Sequence, residues 1–164
     1  MTFPEPNSPN ATPAPMTSAD GQRADERASD ETGDHPELPL QDHRRSLLIA
    51  DDDAVVRYRL GAQLKGAFRI VAVADNATDA IALAKEHRPD AALIDVEMPG
   101  GGAREAVPQI AACSPQTRMV ILSADECDRV VRELLLAGAI AYVRKGVTGD
   151  KLAETLARAL HAEV

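Results

Sequence analysis

Leu47-Leu48-Ile49-Ala50-Asp51-Asp52-Asp53 is an aliphatic run too short for a helix that ends abruptly on three carboxylates. The same texture returns at Ile70-Val71-Ala72-Val73, Ala91-Ala92-Leu93-Ile94, Met119-Val120-Ile121-Leu122 and Ile140-Ala141-Tyr142-Val143. These runs hardly alternate between apolar and polar residues. That pattern suits parallel strands covered on both faces.

Longer stretches with helical spacing separate the runs. In the first, Val55, Leu60 and Leu64 are expected near one face, with Asp53 as the N-cap of a helix beginning at Ala54. The second runs from about Asn76 to His87, turns Ala80, Leu83 and Ala84 inward and stops before Pro89. A third, near Ala103 to Ala112, contains Pro108, which suits a first turn but kinks a longer helix. The fourth spans about Glu126 to Ala137 and ends at Gly138. The last starts after Thr148 and carries Leu152, Leu156 and Leu160 on one stripe. Five strands alternating with five helices make a (βα)5 chain. Right-handed crossovers then give a doubly wound α/β fold, a parallel sheet with helices on both faces.

Ligands of such sheets bind beyond the carboxyl ends of the strands. The first run is followed by Asp51-Asp52-Asp53, and the third by Asp95-Val96-Glu97-Met98-Pro99. Ser123-Ala124 comes after the fourth, and Lys145 after the fifth. Carboxylates, a hydroxyl and an ammonium therefore converge on one sheet edge. Crowded carboxylates repel one another, and protonation or a divalent cation relieves the cost. Oxygen-only ligands favour Mg²⁺. With a cation present, Asp95 stays ionised and can attack phosphorus, while Lys145 neutralises charge on the transferred group and Ser123 donates a hydrogen bond to it. No G-x-G-x-x-G stands after the first strand, which argues against a dinucleotide site. Gly100-Gly101-Gly102 lacks the spacing of a phosphate loop and reads as a mobile turn.

Over about residues 45–162 the chain resembles the receiver domain of bacterial response regulators. Leu48-Ile49-Ala50-Asp51-Asp52 is similar to the family's first strand and acidic pair, and Asp95 before Val96-Glu97-Met98-Pro99 to its phosphoacceptor. Ser123-Ala124 matches the hydroxyl residue and its small neighbour, Lys145 the lysine, and Tyr142 the aromatic switch position. The resemblance implies a chemotaxis-regulator-like fold with flavodoxin-like strand order 2-1-3-4-5. It implies Mg²⁺ (or Mn²⁺) held by Asp52 directly, by Asp51 mainly through water, by Asp95 and by the main-chain carbonyl of Glu97. It also implies Ser123 and Tyr142 acting together as a switch, a histidine kinase or phosphotransfer protein as donor, and a downstream partner on the helix 4–strand 5–helix 5 face. A phosphorylation-dependent dimer and a cytoplasmic location are further expectations. Two positions depart from the pattern: Gly146 replaces the proline usual after the lysine, and Gly101-Gly102-Ala103 replaces Met-Asp-Gly. Glu97 and Asp125, two residues past Asp95 and Ser123, are expected to modulate attack of water on the phosphoaspartate.

Composition narrows the alternatives. The chain has 164 residues, 45% hydrophobic and 27% charged, with a net charge of −8. Residues 1–43 hold nine acidic and two basic side chains and seven of the eleven prolines. They read as a disordered acidic tail, and 44–164 as the receiver domain. The tail repels phosphate backbones and the remainder shows no basic stripe, so direct nucleic-acid binding is not expected. No apolar run approaches the ~18 residues that cross a bilayer, and without a basic n-region followed by an apolar core at the N-terminus secretion is not expected. Cys113 and Cys127 read as idle thiols, and His35, His43, His87 and His161 as surface residues without ligand spacing.

Three rivals bear on function. In a phosphohydrolase resembling the haloacid dehalogenase group, Asp51 would be the nucleophile of an Asp-x-Asp and Asp95 would be left unexplained. A receiver that binds partners without phosphate is at odds with the complete site. A fragment of a longer regulator, with a helix-turn-helix output beyond Val164, is the remaining alternative to a stand-alone receiver.

Overall fold

The computed structural model describes residues 42–124 and 128–162. The expected tail, apart from Asp42 and His43, lies outside the described residues, as do Asp125, Glu126 and Cys127. The elements alternate without exception. They are β1 (Ser46–Ala50), α1 (Ala54–Leu64), β2 (Arg69–Ala74), α2 (Ala77–His87) and β3 (Ala91–Asp95), then α3 (Gly102–Cys113), β4 (Arg118–Ser123), α4 (Asp128–Leu136), β5 (Ala141–Arg144) and α5 (Gly149–His161). The sheet is parallel throughout, in the order β2-β1-β3-β4-β5.

Successive residues of the central strands point to opposite faces, and both faces are covered. Leu48, Ala50, Ala92, Ile94 and Ile121 pack against alanines of α2 and against Val107 and Ile110 of α3, with Leu134 of α4 closing the layer. Leu47, Ile49, Leu93, Val120 and Leu122 meet Leu60 and Leu64 of α1 and Leu152 and Leu156 of α5. All of β1 and β3 is buried, whereas the edge strands β2 and β5 are only partly covered. Burial on both faces is why the inner strands carry no polar alternation.

The helix caps match the sequence. Asp53 accepts from the N–H groups of Val55 and Val56, Asn76 from Asp79 N–H and Thr148 from Lys151 N–H. One expectation needs correction. Val55 is 66% exposed; Val56 is the residue that packs beside Leu60 and Leu64, because 56, 60 and 64 form an i, i+4, i+8 row and 55 lies off it. α3 covers the expected stretch and runs through Pro108. Pro108 and Arg104, the residue whose carbonyl loses its helical donor, lie on the exposed face, where that carbonyl is open to solvent.

Candidate functional site

Strand register builds the site. β1 pairs with β3 so that Ala50 lies beside Ile94, and Asp51 and Asp95 are the next residues along the two chains. Asp95 is level with Leu122 on β4, and Ser123 with Arg144 on β5, immediately before Lys145. The main-chain N–H of Lys145 donates to the Ser123 carbonyl at 2.8 Å, which ties the end of β5 to the end of β4. The Asp51 N–H donates to the Ala74 carbonyl at 3.1 Å, and the Val96 N–H to the Leu122 carbonyl at 3.0 Å.

The charged side chains meet on that edge. Lys145 Nζ lies 2.8 Å from Asp51 Oδ2 and 2.9 Å from Asp95 Oδ2. Asp51 is fully buried, and its Oδ1 accepts from the Asp53 N–H at 2.9 Å. Its Oδ2 is buried without a well-directed hydrogen bond, so the Lys145 contact there is an ion pair by distance alone. Asp95 is 3% exposed. Burial pushes its carboxyl above the ordinary aspartate value; the Asp51 charge adds to that rise, while Lys145 and the Glu97 N–H pull against it. Burial lowers the basicity of Lys145, but its two carboxylate partners outweigh burial and hold its pKa above the usual lysine value.

Asp51, Asp52 and Asp95 each offer a carboxylate oxygen within 4.8 Å of the others. An all-oxygen set of three carboxylates, one of them with a buried oxygen that accepts no hydrogen bond, fits a small hard dication such as Mg²⁺. Asp52 is exposed and lines a cleft together with Asp95, Glu97, Ser123, Ala124 and Lys145. Ser123 is 7% exposed at the end of β4. Tyr142 stands apart from the cluster on β5, level with Ile121 and 45% exposed. The structure thus brings Asp51, Asp52, Asp95, Glu97, Ser123 and Lys145 together and leaves Tyr142 on the neighbouring surface. His43, His87 and His161 are exposed.

Sequence reasoning missed three contacts that shape the loops. Arg57 Nη1 donates to the Asp51 carbonyl at 2.7 Å. The Glu97 N–H faces the Asp95 carboxylate and lowers its pKa. The triple glycine turns back on Asp95's neighbour: φ is positive at Gly100, Gly101 and Gly102, and the Ala103 N–H donates to the Val96 carbonyl at 3.1 Å. A Cβ on Gly102 would stand 2.3 Å from that oxygen. Only the run of glycines hinted at so close an approach.

Comparison with known proteins agrees with this geometry. The transcriptional regulatory protein CitT of Bacillus subtilis is 37% identical over 113 residues, which cover 67% of this chain and 50% of that protein. The chemotaxis protein CheY of Bacillus subtilis is 31% identical over 116 residues, covering 70% of this chain and 97% of CheY. The chain spans about half the length of the first curated relatives it matches. Among solved structures, a DNA-binding response regulator of the LuxR family from Staphylococcus aureus superposes with a TM-score of 0.67 at 28% identity, covering 71% of this chain and 98% of that one. The signal receiver domain of the putative response regulator NarL from Mycobacterium tuberculosis shares the fold, with a TM-score of 0.70 at 24% identity over 73% of this chain and 98% of that one. Residues 47–157 match the response regulator receiver domain as a family, and the chain belongs to that family.

Proposed function

We propose that Asp95 is the phosphoacceptor of this phosphorelay signalling domain, with Mg²⁺ (or Mn²⁺) held by Asp52, Asp95, Asp51 through water and the Glu97 carbonyl. The observation that carries the reading is the meeting of three carboxylates within 4.8 Å under an ammonium that touches two of them. A carboxylate oxygen of Asp95 attacks phosphorus, the bond from phosphorus to the donor's histidine nitrogen breaks with its electron pair leaving on nitrogen, and an acyl phosphate remains. When bound, the dication neutralises charge on the phosphoryl oxygens and on the crowded acids. Lys145 turns its ammonium to a phosphoryl oxygen, and the Ser123 hydroxyl donates to another. Asp51 is a poor candidate for nucleophile. It is fully buried and held by the Asp53 N–H and Lys145, which disfavours the phosphohydrolase reading.

The donor is a histidine kinase or phosphotransfer protein in the cytoplasm, and the signal leaves through protein contacts on the α4–β5–α5 face. There Tyr142, half exposed on β5, tracks the Ser123 hydroxyl inward when it closes on the phosphoryl group; a phosphorylation-dependent dimer on this face is one form of output. Incubating the purified chain with acetyl phosphate and Mg²⁺, then mapping the modification by mass spectrometry, tests the assignment. Label on Asp95, absent from Asp95→Asn and abolished by EDTA, is the expected result. Label on Asp51, or none, would overturn it.

A further inference from the structure

Arg57 has no part in the chemistry above, yet α1 holds it against the acidic loop. Its N–H donates to the Asp53 carbonyl at 3.0 Å, which places it one turn into α1. Long helical side chains lean toward the helix N-terminus, and this one reaches back so that Nη1 donates to the Asp51 carbonyl at 2.7 Å in a part-buried contact. That carbonyl belongs to the peptide joining Asp51 to Asp52. Because the unit is planar, anchoring its oxygen sets the direction in which the Asp52 backbone continues. The rest of Asp51 is anchored too, its N–H on Ala74 and its Oδ1 under the Asp53 N–H. Among the described residues no hydrogen bond holds the exposed Asp52 carboxylate, so its aim depends on the backbone beneath it.

We infer that Arg57 is a positioning residue of the cation site, acting through the Asp51 carbonyl to aim Asp52 at Asp95. The inference rests on the reading of this edge as a Mg²⁺ site. Charge and geometry here pull in opposite directions. A guanidinium near the acids weakens the attraction for a dication, although Asp75 and Asp79, which share its cleft, offset part of that field. Positioning strengthens binding. The sign of the change on substitution therefore identifies the role.

Calorimetric titration of the full chain with Mg²⁺ makes the test, using wild type, Arg57→Lys and Arg57→Gln, each checked for folding by circular dichroism. Positioning predicts about tenfold weaker Mg²⁺ binding in Arg57→Gln, the scale typical of residues that orient metal ligands, with Arg57→Lys in between. A second readout needs no metal: the amides of Asp52 and Asp53 should exchange faster with deuterium in metal-free Arg57→Gln. Unchanged or tighter Mg²⁺ binding in Arg57→Gln overturns the inference, even if its stability falls. Should that variant not fold, Arg57→Lys decides, since it keeps the charge and loses the planar fork; wild-type affinity there overturns the inference as well. A wild-type chain that binds no Mg²⁺ refutes the underlying site, whereas normal wild-type binding with unaltered variants refutes Arg57 alone.

Discussion

Lys145 Nζ sits 2.9 Å from Asp95 Oδ2, joining the end of β5 to the end of β3 across the intervening β4. The same ammonium lies 2.8 Å from Asp51 at the end of β1, so one cation neutralises two acids that burial would otherwise penalise. The ammonium has three N–H donors, so in the proposed transfer to Asp95 one of them is available to a phosphoryl oxygen.

Removing that cation exposes the cost of the acids. Lys145→Met should lose about 3 kcal/mol of stability in EDTA, the scale for leaving a buried charge without its partner. Urea unfolding at pH 7 measures it. The loss should shrink in Mg²⁺, which takes over the neutralising role, and also in acid, where Asp95 protonates. An unchanged midpoint in EDTA would show that the lysine contact is energetically idle.

Asp95 itself gives a pH signature. Burial first, then the Asp51 charge, raise its folded pKa above the unfolded value. A raised carboxyl contributes stability below the ordinary aspartate range and loses it as pH rises through the folded value. Ionised Asp95 is thus a burden at neutral pH without metal. Asp95→Asn should melt higher than wild type at pH 7 in EDTA, and the gap should close near the ordinary aspartate pKa of about 4. Saturating Mg²⁺ should reverse the order, since wild type gains about 2.7 kcal/mol at a hundredfold excess over Kd and the variant gains less. A variant less stable than wild type in EDTA at neutral pH would refute the burial argument.

The acids, hydroxyl and lysine were legible because parallel strands bring the residues at their carboxyl ends to a common edge, and the fold was legible because the aliphatic runs are short and unbroken. Other features left no such trace. Where α3 starts ahead of Pro108 depends on which face is wet, and a proline in sequence does not show that. Val55 and Val56 are adjacent and chemically identical, so only the helix phase, set by the Asp53 cap, decides which is buried. The Arg57–Asp51 contact runs to a main-chain oxygen, and a carbonyl has no residue identity to read.

A second anchor lies at the opposite edge of the sheet. Asp90, just before β3, accepts from the Ser46 N–H and Oγ at 2.7 Å each, while its own N–H donates to Ser46 Oγ at 2.9 Å. Burial alone would raise the Asp90 pKa, but the Ser46 bonds and Arg45 outweigh it and leave the pKa lowered. The resulting stability is present above the ordinary aspartate range and is lost as pH falls through the depressed value. Ser46→Ala should cost about 1.5 kcal/mol at pH 7, with the deficit narrowing below about pH 4. Parallel urea titrations at both pH values check it, and a deficit that stays constant with pH would remove the charge from the account.

Two glycines next to functional residues separate steric from conformational demand. Gly102 has φ +60, and a Cβ there would meet the Val96 carbonyl oxygen at 2.3 Å. That carbonyl cannot retreat freely, because Val96 is tied to Leu122 through its N–H and is bonded directly to Asp95. Gly146 has φ +94, but nothing lies within 4 Å of its Cβ position. Gly146→Ala should therefore cost only the left-handed penalty, about 1 kcal/mol. Gly102→Ala adds a collision with the backbone and should cost about 3 kcal/mol. The β3–α3 loop is where the two differ functionally: displacing Val96 should also weaken Mg²⁺ binding in Gly102→Ala, measured by the same calorimetric titration. Equal losses at the two positions would mean that backbone strain, and not the close approach to Val96, makes glycine necessary at 102.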